Sequence, residues 1–168
     1  MKSVVPLASA HDEAVFGAKA VGLGEAARAG LPVPPGIALS GELTEGVAAG
    51  HGSAIGKVME SARFLTGPLA VRSSAVGEDD AQASFAGQHL TLLNVPSYTN
   101  LSAAIRQIWW SANTDSVITY RKRVGLFDRP SVVVVQALLD PEVTGGGVHP
   151  EPGIRHRRTG DRGELGAG

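Results

Sequence analysis

The stretch SVVVVQALL, residues 131–139, does most to decide the fold. Both of its alternating sets of side chains are apolar and four of them are valines, a pattern typical of a central strand covered on both faces. The stretch LAVRSS, residues 69–74, predicts a second strand that runs into a polar turn, and residues 89–95 predict a third. Helical patterns flank these strands, so the sequence predicts an α/β (α+β) fold, a mixed sheet with flanking helices.

A helix and a strand are expected upstream. Apolar residues recur near helical spacing over residues 12–30, and the helix itself is expected over Lys19–Ala29, with Gly30 as its stop. Residues 31–36 contain three prolines and cannot continue that helix, because proline lacks an amide donor and keeps the chain extended. They lead into a short strand over Ile37–Ser40.

Residues 41–66 show loose helical spacing, and further helices are expected from about residue 101 and over residues 116–124. Trp109 is expected in the core and Trp110 partly at the surface. The side chains expected to form a buried stripe within residues 41–66 are Val58, Met59, Ala62 and Leu65.

Composition limits the classes of function. Of the 168 residues, 43% are hydrophobic and 18% charged, which indicates a folded globular chain. The 15 basic and 16 acidic residues nearly balance, so the net field favours neither nucleic acid nor an anionic membrane as a partner. The chain has no cysteine, which excludes disulfides and thiolate chemistry. No apolar run of signal-peptide or membrane-helix length is visible, so a soluble, cytoplasmic protein is expected.

Two cations suit phosphate oxygens. Lys19 opens a helix, where backbone amides and a flexible cation together hold an anion, although a single solvated helix lysine gives the same pattern. Arg72 interrupts an apolar strand and precedes two hydroxyls, a setting that suits phosphate. A structural ion pair with Glu78, Asp79 or Asp80 explains Arg72 equally well.

Two further features bear on a nucleotide. The segment SFAGQ, residues 84–88, combines a hydroxyl, an aromatic anchor and a glycine, as a loop closing over phosphates does, and an ordinary hairpin connection is the alternative. Gln136 lies within an apolar strand, where an adenine edge or the neighbouring backbone supplies partners for its amide. The five histidines are scattered, so we assign no catalytic and no metal-binding residue.

The wording and order of these motifs resemble one family. FGAKAVGLGE (16–25) with GLPVPPG (30–36), AVRSSA (70–75) with Glu78-Asp79 and SFAGQ (84–88), and VVVQ (133–136) are similar to signatures of phosphoenolpyruvate synthases, pyruvate phosphate dikinases and rifampicin phosphotransferases. The second glycine of the opening signature is Ala18 here.

The resemblance implies the first, incomplete part of an ATP-grasp-type domain over residues 1–144, with ATP as the cofactor. It implies that Lys19, Arg72, Ser84, Ala86, Gly87 and Gln88 contact ATP phosphates and that Gln136 lies beside adenine. The family's Mg²⁺ ligands and phosphohistidine domain belong to downstream segments absent from this chain. We therefore expect no dikinase turnover from the chain alone.

Residues 145–168 form an irregular tail where the family continues with a strand. Read one base later, suitable codons for residues 148–156 encode Phe-Thr-Arg-Asn-Pro-Val-Ser-Gly, which is the family's motif, so we hypothesise a frameshift near residues 144–147. Three interpretations stay open: part of an enzyme completed by a separately encoded remainder, a non-catalytic nucleotide-binding or protein-interaction module, and a gene remnant.

Overall fold

A computed structural model describes residues 3–74, 90–96, 98–123 and 131–139 of the chain. The α-helices described are α1 (Glu13–Phe16), α2 (Ala18–Arg28), α3 (Gly41–Ala48), α4 (Gly52–Ser61), α5 (Leu101–Ala112) and α6 (Asp115–Arg123). The strands are β1 (Val4–Pro6), β2 (Gly36–Leu39), β3 (Leu69–Ser73), β4 (Thr91–Val95) and β5 (Val133–Ala137). Single turns of 3-10 helix occupy Leu7–Ser9 and Tyr98–Asn100.

The described strands form one sheet in the order β1-β2-β5-β3-β4. The central position of β5 confirms the prediction made from its two apolar faces. All four pairings are antiparallel, so the prediction of a mixed sheet is wrong for these strands. The reason is that β5 lies between β2 and β3 and runs opposite to both. Strands β2 and β3 therefore run in the same direction, and they do not pair with each other.

One face of the sheet, which we call the α5 face, carries the larger core. Ile37, Leu69, Val71 and Val135 from the strands are at most 1% exposed and pack in one cluster with Ile105 of α5. Helices α3, α4 and α5 cover this face. Burial on this scale is the main stabilising contribution to the fold.

The opposite face, the α2 face, carries a smaller core. Ala38 of β2 and Val134 of β5 are fully buried there against Phe16 and Ala20 from the α1–α2 segment. The two cores give the sheet helices on both sides, which confirms an α/β arrangement.

Most predicted elements agree with the structure to within two residues at each end. The strand β1 was missed, because three residues that end in Pro6 carry too little pattern, and proline is tolerated here since β1 is an edge strand. Val58, Ala62 and Leu65 are buried as predicted, and Met59 is half-buried. Trp110 is 59% exposed as predicted, whereas Trp109 is only half-buried. No helix in the described ranges is long and apolar enough to cross a bilayer.

Candidate functional site

Arg72 lies in β3 and belongs to the α2 face. It is directly opposite Val134 of β5, a member of the α2-face core, and residues opposite each other in a sheet share a face. The side chain is half-buried, and its Nε is fully shielded without a hydrogen-bond partner in the described part of the chain. A shielded, unpaired guanidinium nitrogen is costly in a folded protein. Arg72 is therefore the described side chain most in need of an anionic partner.

The alternative partners weighed for Arg72 from the sequence were Glu78, Asp79 and Asp80. All three lie outside the described residues. The loop segment of Ser84, Ala86, Gly87 and Gln88 also lies outside them, so its predicted role stays a prediction.

Gln136 lies on the same face, two residues beyond Val134 in β5. It is 6% exposed and directly opposite Ala70 of β3. Its Nε2 donates a hydrogen bond of 3.3 Å to the carbonyl oxygen of Pro34. The sequence offered neighbouring backbone as one possible partner of the Gln136 side-chain amide, and the structure shows such a partner for one of its two amide hydrogens. The position beside adenine stays a prediction.

Lys19 occupies the first turn of α2 and is half-buried. The helix starts at Gly17, whose φ of 80° and ψ of 158° are accessible to glycine and strained for other residues. The backbone amide of Ala20 donates 3.0 Å to Oγ of Ser74, which directly follows β3. That amide is therefore occupied, so the free amides expected around Lys19 from the sequence do not include it.

These contacts bring three predicted residues to one side of the sheet. Along the α2 face, Gln136 lies level with Ala70, Arg72 lies two residues further along β3, and Ser74 holds the helix of Lys19 two residues beyond that. From Ala70 to Ser74 the chain advances by roughly 13 Å, at about 3.3 Å per residue. The arrangement is an elongated strip, with Gln136 at one end and Arg72 and the helix turn that carries Lys19 towards the other.

The half of the α2 face over β3 and β4 is open. Ala70 and Arg72 are half-buried where Ala38 and Val134 are fully buried. On β4, Thr91 pairs with Arg72 and is exposed, and Leu93 is 59% exposed. A ligand has access to Arg72 from this side as far as the described residues define it.

Sequence reasoning missed the contact between Ser74 and α2. The two partners are 54 positions apart, so no local pattern reports their bond. The only available signal was the pair of hydroxyls after Arg72, which we had associated with a ligand.

The chain matches the family described as "Pyruvate phosphate dikinase, AMP/ATP-binding domain" over residues 38–157. The match includes Arg72, residues 84–88 and Gln136, starts after Lys19, and extends beyond Thr144.

Several characterised proteins are similar to parts of this chain. A rifampicin phosphotransferase of Streptomyces sviceus is 45% identical over 78 residues, which cover 45% of this chain and 9% of that protein. A phosphoenolpyruvate synthase of Aeropyrum pernix is 29% identical over 179 residues, covering 78% and 22%. A phosphoenolpyruvate synthase of Aquifex aeolicus is 41% identical over 95 residues, covering 55% and 11%. The chain thus spans at most 22% of the length of these relatives.

The match over residues 38–157 covers more than half of the chain and includes the later motifs that indicated the family, AVRSSA (70–75), SFAGQ (84–88) and VVVQ (133–136). The resemblance seen in the sequence is confirmed: this chain belongs to the pyruvate phosphate dikinase AMP/ATP-binding domain family, and phosphoenolpyruvate synthases and rifampicin phosphotransferases are among its relatives.

Proposed function

We propose that this chain binds ATP on the α2 face of its sheet, within a phosphotransferase of the phosphoenolpyruvate synthase type. The observation that carries the proposal is the shielded, unpaired Nε of Arg72, on the open half of a face that also holds Gln136 and the helix of Lys19. A phosphate oxygen beside Arg72 supplies the missing acceptor and a compensating charge at once.

The strip along the α2 face suits an elongated ligand with an anionic end. Arg72 and Lys19 lie towards the Ser74 end, where we place the phosphates. Gln136 lies at the opposite end, and we propose that the part of its amide not used by Pro34 bonds the adenine edge. Ten residues separate the end of β3 from Ser84, and we propose that the loop of Ser84, Ala86, Gly87 and Gln88 closes over the phosphate end.

The remaining assignments are part of the same proposal. Residues 1–144 form the first part of an ATP-grasp-type domain, and residues 145–168 form an irregular tail. Mg²⁺ is expected with ATP in this family, but no group of three His, Asp or Glu side chains in the described ranges is placed to hold a metal ion.

Phosphoryl transfer needs metal-bridged phosphates and a positioned acceptor. We propose that the chain by itself binds nucleotide without dikinase turnover, and that further segments, encoded separately or in the same gene, complete the enzyme. Incubation with ATP and pyruvate, followed by assay of AMP, tests this proposal, since AMP formation by the purified chain contradicts it. The nucleotide sequence of the gene around codons 144–156 tests the frameshift.

Calorimetric titration of the chain with ATP, with and without Mg²⁺, tests the binding site. We expect Arg72→Ala to weaken binding by about 10-fold to 100-fold, because it removes charge-assisted hydrogen bonds worth about 1.5–3 kcal/mol. We expect Lys19→Ala to weaken binding by about 5-fold, because a single ammonium beside an anion at the start of a helix contributes about 1 kcal/mol.

Matched controls separate the site from general charge effects. Arg63→Ala removes an exposed guanidinium whose partner is Glu60, 3.0 Å away on the same helical segment. Lys57→Ala removes an exposed lysine of α4, a helix on the α5 face. Neither control is expected to change the dissociation constant. Equal affinities for Arg72→Ala and Arg63→Ala contradict the proposed site.

A further inference from the structure

The start of α2 is capped by a residue from another element. In α1 and α3 the residue before the helix supplies the cap, through the side chains of Asp12 and Ser40. Gly17, which precedes α2, has no side chain to donate or accept. The hydroxyl of Ser74 takes that role from 54 positions away by accepting from Ala20 at 3.0 Å.

Gly17 also lies in close contact with Ser74. A Cβ added to Gly17 falls 1.9 Å from the carbonyl oxygen of Ser74, so the backbone at Gly17 approaches Ser74 more closely than any other residue type permits. Ser74 itself is fully buried, and its amide donates 2.9 Å to the carbonyl of Val132, next to β5. The contact thus connects α2 to the end of β3 and to the residue before β5.

We propose that Ser74 is a positioning residue, whose hydroxyl fixes the first turn of α2 against the end of β3 and so sets the placement of Lys19 relative to Arg72. Lys19 is the residue before Ala20, and Arg72 lies two residues before Ser74. This inference rests on the proposed ATP site for its functional consequence. Ser74 makes no contact with the nucleotide in this account and acts only through the helix that carries Lys19.

A double-mutant cycle with Lys19 tests the proposal. ATP affinity is measured by calorimetry for the wild-type chain, Ser74→Ala, Lys19→Ala and the double variant. We expect Ser74→Ala to weaken binding about 5-fold and to add little further loss once Lys19 is replaced, because residues that act through one contact are not additive. Additive losses, or unchanged affinity in Ser74→Ala, overturn the proposal.

Ser40→Ala is the matched control. Ser40 is also a buried serine whose hydroxyl accepts from a first-turn amide, that of Leu43 at 3.3 Å, but its helix α3 lies on the α5 face. Both substitutions remove one cap and are expected to lower stability to a similar extent. Only Ser74→Ala is expected to change ATP affinity. If Ser40→Ala weakens ATP binding equally, the effect is general destabilisation and the proposal fails.

A second variant and a hydrogen-exchange measurement cover two further cases, in which Ser74→Ala does not fold or the wild-type chain binds no ATP. If Ser74→Ala does not fold, Ser74→Cys replaces it, since cysteine has nearly the same shape and accepts hydrogen bonds weakly. If the wild-type chain binds no ATP, the proposed function fails by itself. Amide hydrogen exchange then decides the positioning claim: exchange at Ala20 is expected about 5-fold faster in Ser74→Ala than in Ser40→Ala, and equal rates contradict it.

Discussion

Replacing Gly17 by alanine tests how closely α2 approaches the end of β3. The backbone at Gly17, with φ 80° and ψ 158°, lies in a region that only glycine adopts readily, and a side chain there costs about 1–3 kcal/mol. The new Cβ also meets the carbonyl oxygen of Ser74 at 1.9 Å. Because that atom belongs to buried backbone, relief requires a shift of α2 or β3, which costs about 1–3 kcal/mol more. The sum predicts a loss of roughly 4 kcal/mol in the free energy of unfolding.

Two other glycines separate these contributions. Gly30 has the same φ of 80°, and a Cβ there meets no atom within 4 Å, so Gly30→Ala is expected to cost only about 1–2 kcal/mol. Gly22 lies inside α2 with open space around its Cβ position, so Gly22→Ala is expected to stabilise the protein by about 0.5–1 kcal/mol through helix propensity.

Urea unfolding of the three variants, followed by circular dichroism, provides the free energies. From most to least stable, the predicted order is Gly22→Ala, wild type, Gly30→Ala and Gly17→Ala. Equal losses for Gly17→Ala and Gly30→Ala refute the close approach to Ser74, because the backbone conformation alone then accounts for both.

Two further predictions concern packing and a polar bridge. Ile105→Ala is expected to lower the free energy of unfolding by about 2–5 kcal/mol, because Ile105 is fully buried on the α5 face. The control is Leu93→Ala, at a side chain that is 59% exposed, which is expected to stay within about 0.5 kcal/mol of wild type. If urea unfolding shows that both variants match wild type, the assigned core is wrong. Asn113→Ala is expected to lower the free energy of unfolding by about 1–2 kcal/mol. The reason is that the side-chain amide of Asn113 donates hydrogen bonds of 2.7 Å to the carbonyl oxygen of Trp109 and 2.9 Å to Oγ of Ser131. A thermal unfolding midpoint equal to that of wild type contradicts a stabilising bridge between the end of α5 and the residues before β5.

The parts of the fold that were predictable are those governed by local periodicity. Residues 132–135 are apolar on both faces, and the structure places their strand, β5, in the centre of the sheet. The prolines of residues 31–36 end α2 and precede β2, since they cannot continue a helix. Strand direction was not predictable, because it depends on where β5 inserts. A strand between β2 and β3 turns a parallel relation into two antiparallel pairings, and periodicity carries no information about that insertion.

The candidate site shows the same division. The residue types of Lys19, Arg72 and Gln136 were recognisable because cations and an amide stand out in apolar or glycine-containing surroundings. Their common face depends on the register that places Arg72 opposite Val134, which requires long-range pairing. The bond from Ala20 to Ser74 is equally long-range, so the cap on α2 was visible only in the folded chain.

Substitution of Arg72 by methionine, with thermal unfolding recorded with and without ATP, tests whether Arg72 binds the nucleotide phosphates. Methionine keeps an unbranched side chain as far as the position of Nε and removes the guanidinium, including the shielded Nε that has no partner in the described part of the chain. We expect the ligand-free variant to be at least as stable as wild type, because the substitution removes an unpaired buried donor that costs about 1–3 kcal/mol. We also expect the variant to lose the ATP-dependent rise in the unfolding midpoint. In the wild-type chain, ATP at about 100 times Kd is expected to stabilise the fold by about 2.7 kcal/mol. A ligand-free variant less stable than wild type, with an unchanged response to ATP, identifies Arg72 as a structural arginine and contradicts the account.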